Sequence, residues 1–347
     1  MATPDKTCPS GDGKFSLRSR NRVRELWQRT TVLLMVAAAF PLRICSPSLS
    51  GRIGIGLGKL AYRIARRHRR RACANLHLAY GEAMSRQERE NLTCRVFQHF
   101  GRCVVEFVRG PALTEAEFSR MVTCEGWEHI ESARAGGKGV LMFTGHIGNW
   151  EILGRWLAGV RRLPLTVVAK DPKSPALARY LRAMREGAGF AVLSKGESAR
   201  SLLRVLRRGE AVCLLADQNS ADLFTPFFGI PTGTVAGPAT LALHAGVALV
   251  PIFCVRKPDG SFLVRCLPAL PVSAGSESGD RVLQLTAAMN LSLERMIREY
   301  PDQWLWLHNR WKSAFEERNT DRAWSTDAKD ALANGGFEEA RRRWQGR

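Results

Sequence analysis

The segment Leu141-Met142-Phe143-Thr144-Gly145-His146-Ile147-Gly148-Asn149-Trp150-Glu151 sets a histidine just past a short apolar stretch and a carboxylate five residues later. On a continuous helix, positions five apart point about 140° away from each other. The two side chains can therefore meet only if His146 stands in a turn and Glu151 in the first turn of a following helix. Gly145 and Gly148 supply the backbone freedom for that turn. In this arrangement the carboxylate accepts a hydrogen bond from one imidazole nitrogen and favours the charged ring, while the other nitrogen takes a proton from a substrate hydroxyl. Such a pair is a base and its orienter with no protein nucleophile. An alcohol activated there can attack an acyl thioester directly, with helix N-terminal amide hydrogens facing the developing oxyanion. The same residues also admit a structural reading, a histidine closing a strand and a glutamate favoured in a first helical turn.

The elements that must position this pair follow from the periodicity around it. Short apolar strands are predicted at 140–143, 165–168, 191–193, 211–215, 248–253 and 262–265, separated by helices at 150–158, 175–185, 198–207 and 237–244. Ahead of them, the capping box Ser85-x-x-Glu88 opens a long helix through Val108, with Leu92, Val96, Phe100, Val104 and Phe107 at helical spacing. Thr114-x-x-Glu117 opens a second, shorter one. Alternating strands and helices imply an α/β fold with a mostly parallel sheet flanked by helices, in which ligands bind outside the carboxyl ends of the strands. No repeat of 20 to 50 residues, P-loop or GxGxxG is present, so nucleotide chemistry has no support.

Length and composition set the frame. The 347 residues, 45% hydrophobic, can bury one sizeable core. A formal charge of +20, from 52 Lys and Arg against 32 Asp and Glu, calls for a polyanionic partner: nucleic acid, an anionic membrane surface, a phosphorylated lipid or an acidic carrier protein. No zinc finger or basic-aromatic RNA signature accompanies the charge, which argues against nucleic acid. The nine cysteines form no CxxC pair and no His-rich cluster at metal-ligand spacing accompanies them, so a zinc site is not expected; no cofactor is expected either, and free thiols in apolar stretches suit a reducing compartment.

At the N-terminus, Lys14, Arg18, Arg20, Arg22, Arg24 and Arg29 precede an apolar run over 31–40, closed by Pro41 and Arg43. No small-x-small cleavage site follows cleanly, which argues against a signal peptide. The run is about half the roughly 20 residues a spanning helix needs. A membrane-anchoring helix, interfacial or a short snorkelling span with its basic flank on the cytoplasmic side, is expected; a buried helix behind a basic tail is the alternative. The arginines at 63, 66, 67 and 69–71 can face lipid phosphates or form a solvated helix face. The predicted organisation is a basic, disordered lead over 1–30, an anchoring segment over 31–48, a catalytic domain over 49–312 and a charged tail over 313–347.

Several blocks together resemble one family, the lipid A late acyltransferases and their relatives that acylate phosphatidylinositol mannosides. Gly145-His-Ile-Gly-Asn-Trp-Glu151 is similar to its His-x4-Glu signature, and Arg69-Arg-Arg-Ala-Cys-Ala-Asn75-Leu76 to its upstream basic segment. Glu106 stands where the family often has a glutamate. Ala216-Asp217-Gln218-Asn219, Thr225-Pro-Phe-Phe-Gly229 and Pro301-Asp-Gln-Trp-Leu-Trp-Leu-His308-Asn-Arg310-Trp-Lys312 resemble its downstream blocks in order and spacing.

The resemblance implies a glycerophosphate-acyltransferase-like α/β fold at the cytoplasmic face of the bacterial inner membrane. It also implies an acyl carrier protein thioester (or acyl-CoA) as donor, a lipid acceptor, and no metal. The acceptor is expected to be a hydroxyl of a lipid A precursor, or else of a mannosyl glycolipid or other membrane lipid. His146 and Glu151 inherit the catalytic roles. Asp217, Arg185, Phe228 and Gly229 inherit supporting or substrate-binding ones, with Arg182 the alternative to Arg185. A thioester hydrolase is a further reading, but it would call for a nucleophile elbow such as GxSxG, which the sequence lacks.

Overall fold

Strands of a parallel sheet covered on both faces carry continuous apolar runs, and the chain supplies them between helices. The computed structural model describes Trp27, Thr30, Ala37 and residues 40–316 apart from 195, 197 and 272–277. The basic lead and charged tail of the sequence reading lie almost wholly outside the described residues, as does most of the apolar run of the expected anchor. No helix among the described residues is long and apolar enough to cross a membrane.

Three helices come first: α1 (Pro47–Ile64), α2 (Arg66–Tyr80) and α3 (Arg86–Arg109), followed by the short α4 (Glu115–Met121). The capping boxes at Ser85 and Thr114 form as the sequence predicts, each hydroxyl taking the amide of the glutamate three residues on. The α/β part then runs β1 (Val122–Glu125), α5 (Trp127–Ala133), β2 (Val140–Thr144), α6 (Trp150–Arg155, prolonged by a wider turn to Val160), β3 (Leu165–Ala169), α7 (Pro175–Glu186), β4 (Ala191–Ser194), α8 (Ser198–Arg207) and β5 (Ala211–Leu215). A hairpin follows, β6 (Asn219–Phe227) and β7 (Ile230–Thr234), and then α9 (Gly237–Ala245), β8 (Leu249–Arg256), β9 (Phe262–Cys266), α10 (Ser278–Glu299) and α11 (Lys312–Glu316).

The seven-stranded sheet has the order β1-β9-β8-β2-β5-β3-β4, parallel throughout except at the β8–β9 pair. The six strands predicted from apolar runs are all present. Sequence reasoning missed β1, whose four residues include polar Thr123 and Glu125 at an edge, and the β6–β7 hairpin, which carries too many polar residues for an apolar-run criterion. Residues of β2 alternate between two core layers, Leu141 and Phe143 on one face and Val140 and Met142 on the other. The first layer is closed by α2, α3, α10 and the tryptophans 304, 306 and 311; the second by α6 and Phe190.

Helix α1 docks through small residues. Ser50, Gly54 and Gly58 are its buried positions, four apart on one stripe, and the two glycines meet Gly101 of α3. A Cβ on Gly58 would lie 2.3 Å from the Phe97 carbonyl oxygen. With its small side spent on α3, α1 turns Leu49, Leu57, Leu60 and Ile64 to the exterior.

This contact generates a prediction. Gly58→Val should lower stability by about 1–3 kcal/mol through overpacking against backbone. Gly56→Ala, whose Cβ meets nothing within 4 Å, should raise it by roughly 0.5–1 kcal/mol. Denaturant titration of the two proteins checks both; an unchanged midpoint for Gly58→Val would mean that α1 does not pack on α3 this closely.

Candidate active site

Strands β2 and β5 are neighbours, with Thr144 paired to Leu215. Each chain continues two residues past that pair, and the two residues reached are His146 and Asp217. The backbone N–H of His146 donates to Asp217 Oδ2 at 2.7 Å, and Nδ1 donates to Oδ1 at 2.7 Å. Asp217 is fully buried and also accepts from Trp304 Nε1 at 2.9 Å. Burial alone would raise its pKa, but the neighbouring His146 charge and hydrogen bonds, with His308 behind, hold the carboxyl well below the usual range. For His146, burial pulls the pKa down, yet the Asp217 charge and hydrogen bond, aided by Glu151, leave it raised.

With Nδ1 committed to a carboxylate, Nε2 carries the lone pair of the neutral ring. No described residue bonds to it, and the His146 side chain is 17% exposed. The imidazole edge is thus presented outward, beside Trp150 at 4.9 Å between ring centres.

The structure corrects the expected partner of His146. Glu151 does lie in the first turn of α6, but its carboxylate binds Arg185 of α7 in a fork, Nε to Oε2 at 3.1 Å and Nη2 to Oε1 at 2.5 Å. It reaches His146 only through its charge. The loop between them explains why. Gly148 donates to the Gln303 carbonyl at 2.9 Å, Asn149 N–H to the Cys254 carbonyl at 2.8 Å, and Leu305 N–H to the His146 carbonyl at 2.9 Å. These ties turn both the amide and the ring of His146 to Asp217. Between the two candidate arginines the geometry is plain: Arg185 meets Glu151, whereas Arg182 holds the Val192 carbonyl and Ser194 on β4.

Gly148 has φ +61°, and a Cβ there would fall 1.9 Å from the Cys254 carbonyl oxygen, so only glycine fits. Asn149 caps α6 by accepting the Ile152 amide at 3.1 Å while its Nδ2 donates to Glu106 at 2.8 Å. Glu106 is in turn clamped by Arg256 at 2.5 and 2.6 Å. His99, pushed down to about 3 by burial and then by Arg256, is neutral and meets the Gly148 carbonyl at 2.9 Å.

The structure does not bring Phe228 and Gly229 against the His146 ring. They form the β6–β7 turn with φ values of 53° and 73°. The non-glycine Phe228 is held in that conformation by its amide donating to Glu294 at 2.6 Å and by burial against Tyr80 and Trp306.

Sequence reasoning gave no individual role to Arg256, Trp304 or His308. Trp304 fixes Asp217, and His308 Nε2 lies 3.1 Å from the Asp217 carbonyl oxygen. For Trp304 and His308 the one available signal was their place in the 301–312 block, and Arg256 had none, since the contacts span up to 150 residues of chain. Among the described residues no group of three or more His, Cys, Asp or Glu is placed to hold a metal.

A buried carboxylate orienting a histidine at the carboxyl end of a parallel sheet, with no nucleophilic side chain bonded to that histidine among the described residues, is an arrangement that can work as a general base. Comparison with known proteins gives the family. The sequence model for bacterial lipid A biosynthesis acyltransferases matches residues 19–313, and the chain belongs to that family. It is similar to the phosphatidylinositol mannoside acyltransferase of Mycobacterium tuberculosis, 30% identical over 234 residues covering 65% of this chain and 72% of the relative. It is similar also to two Escherichia coli enzymes. The lipid A biosynthesis lauroyltransferase is 29% identical over 76% of this chain and 85% of its own, and the palmitoleoyltransferase 24% identical over 75% and 84%. The protein is an O-acyltransferase.

The pH dependence of turnover follows from the pair. As a general base His146 would accept a proton only when neutral, and kcat/KM should then rise with pH through the raised pKa of the ring. In Asp217→Asn the raising charge is gone and the lowering effect of burial stays, so that limb should move to lower pH while the plateau falls by about 10²–10⁴. A pH–rate profile of the two proteins decides it; a limb that stays put would assign the titration to another group.

Proposed function

We propose that the chain transfers a fatty acyl group from an acyl carrier protein thioester to a hydroxyl of a lipid A precursor, with His146 as general base. The observation that carries this reading is the His146–Asp217 pair, which fixes the proton on Nδ1 and leaves Nε2 facing outward. Nε2 takes the hydroxyl proton as the oxygen attacks the thioester carbonyl. The tetrahedral intermediate then expels the thiolate, which recovers the proton from the imidazolium and leaves as thiol. The ester forms and the thioester bond breaks with no covalent acyl-enzyme. Asp217 orients the base and stabilises its charged form, and the forked Glu151–Arg185 pair organises the recess beside it. A mannosyl glycolipid acceptor is the second reading, favoured by the 30% identity to the phosphatidylinositol mannoside enzyme.

We place the enzyme on the cytoplasmic face of the bacterial inner membrane. Support comes from the apolar outer side of α1, with Leu57, Leu60 and Ile64 exposed, next to Arg63, Arg66, Arg67, Arg70 and Arg71. An apolar stripe rimmed by cations suits an anionic lipid surface. The charge of +20 also suits an acidic carrier protein.

Two measurements test these readings. Membranes carrying the chain, supplied with a chain-length panel of acyl carrier protein thioesters and a tetra-acylated lipid A precursor, should form a new acylated product, cut about 10²–10⁴-fold in His146→Ala. An active His146→Ala would remove the mechanism; a wild type active on a mannosyl glycolipid but not on the precursor would move the acceptor. In sedimentation with vesicles, binding should need anionic lipid, weaken with salt and fall in Leu57→Asp/Leu60→Asp. Equal binding to neutral vesicles would count against the charged surface.

A further inference from the structure

Arg155 stands one turn beyond Glu151 on α6. Glu followed by Arg at i, i+4 is the favourable order for a helical ion pair, yet Glu151 is turned to Arg185 instead. The other carboxylate nearby, Glu106, is clamped by Arg256. Arg155 is left half-buried with no hydrogen bond or ion pair among the described residues. Its guanidinium lies against Gly110 and 5.8 Å from the Phe118 ring centre. Burial disfavours its charge with no acid to offset the cost.

Arg155 lines a shallow, solvent-open recess together with Glu106, Glu151, Arg185, Phe107 and Met184. Two anions and their two partners cancel, so the recess carries one uncompensated positive charge, that of Arg155. A planar fork of five N–H donors matches the oxygens of a phosphate group, an anion that both substrates carry. The Phe107 and Met184 side chains supply apolar surface for the adjoining hydrocarbon.

We propose that Arg155 is a specificity residue that binds a phosphate group of one of the two substrates in this recess. The inference rests on the acyl-transfer reading for what those substrates are. Both carry the same chemistry: a phosphorylated sugar lipid on the acceptor side, a phosphopantetheine arm on the donor side. Arg155 acts on affinity, and the proton chemistry stays with His146.

The test reads equilibrium binding by the full chain in detergent micelles, without turnover. The probes are the bisphosphorylated tetra-acyl precursor, the same lipid stripped of phosphate, and coenzyme A. Arg155→Gln should weaken one phosphate-bearing probe about 10- to 100-fold and bind the stripped lipid as wild type does. Arg155→Lys should show a smaller loss of the same selectivity, and it decides the matter where the Gln variant fails to fold. A loss confined to the precursor assigns the acceptor phosphate; one confined to coenzyme A assigns the donor. Unchanged affinity for both, equal losses with and without phosphate, or a wild type that binds neither probe overturns the inference. An active His146→Ala would instead remove the catalytic reading and leave these affinities as measured.

Discussion

Asp217 is the residue on which the site depends. It is wholly excluded from water, and a carboxylate there is tolerable only if its lone pairs are met. They are met by the backbone and ring of His146 and by the indole of Trp304. The requirement runs outward from there. Trp304 must be fixed, and it is packed edge-on against Trp306 at 4.6 Å. That block is held by Asn75, whose amide donates to the carbonyls of Trp306 and His308 at 2.7 and 2.8 Å. Breaking one partner of such a buried pair costs far more than the pair contributes when intact.

A second buried charge sits on the same side. Arg310 is 0% exposed and binds only neutral groups among the described residues: the Gly233 and Gln218 carbonyls, Thr234 and Asn290, with the Phe227 ring 4.7 Å away. Burial pulls it down to about 10, opposed by Asp217, so it remains cationic. Its task is to tie β7 and α10 to the chain that follows Trp304. The β6–β7 hairpin is thereby anchored at one end by a guanidinium and at its turn by Glu294.

Much of this was legible in the sequence. Continuous apolar runs gave the six sheet strands because parallel strands buried on both faces have no polar side to dilute the signal. Capping boxes located the starts of α3 and α4. The His146 turn was readable from Gly145 and Gly148. The partner of His146 was not, because proximity in sequence favoured Glu151, whereas proximity in space is set by the register of β2 against β5. Strand order is a property of the whole sheet and leaves no mark on a local segment. The outward side of α1 was hidden for a related reason: only contact with α3 shows that its glycines are the inner face and its leucines the outer.

The hydrogen bond from Asn75 to Trp306 closes a loop of 231 residues, and His146, Asp217 and Trp304 lie within that loop or at its end. Contacts of such long range form late, since loop closure must precede them. During translation, every strand of the sheet can be made and paired while Asp217 still lacks the indole that completes its shell. The shell around Asp217 therefore stays incomplete until synthesis has passed residue 308, by which time α1, with its exposed leucines, has long since left the ribosome.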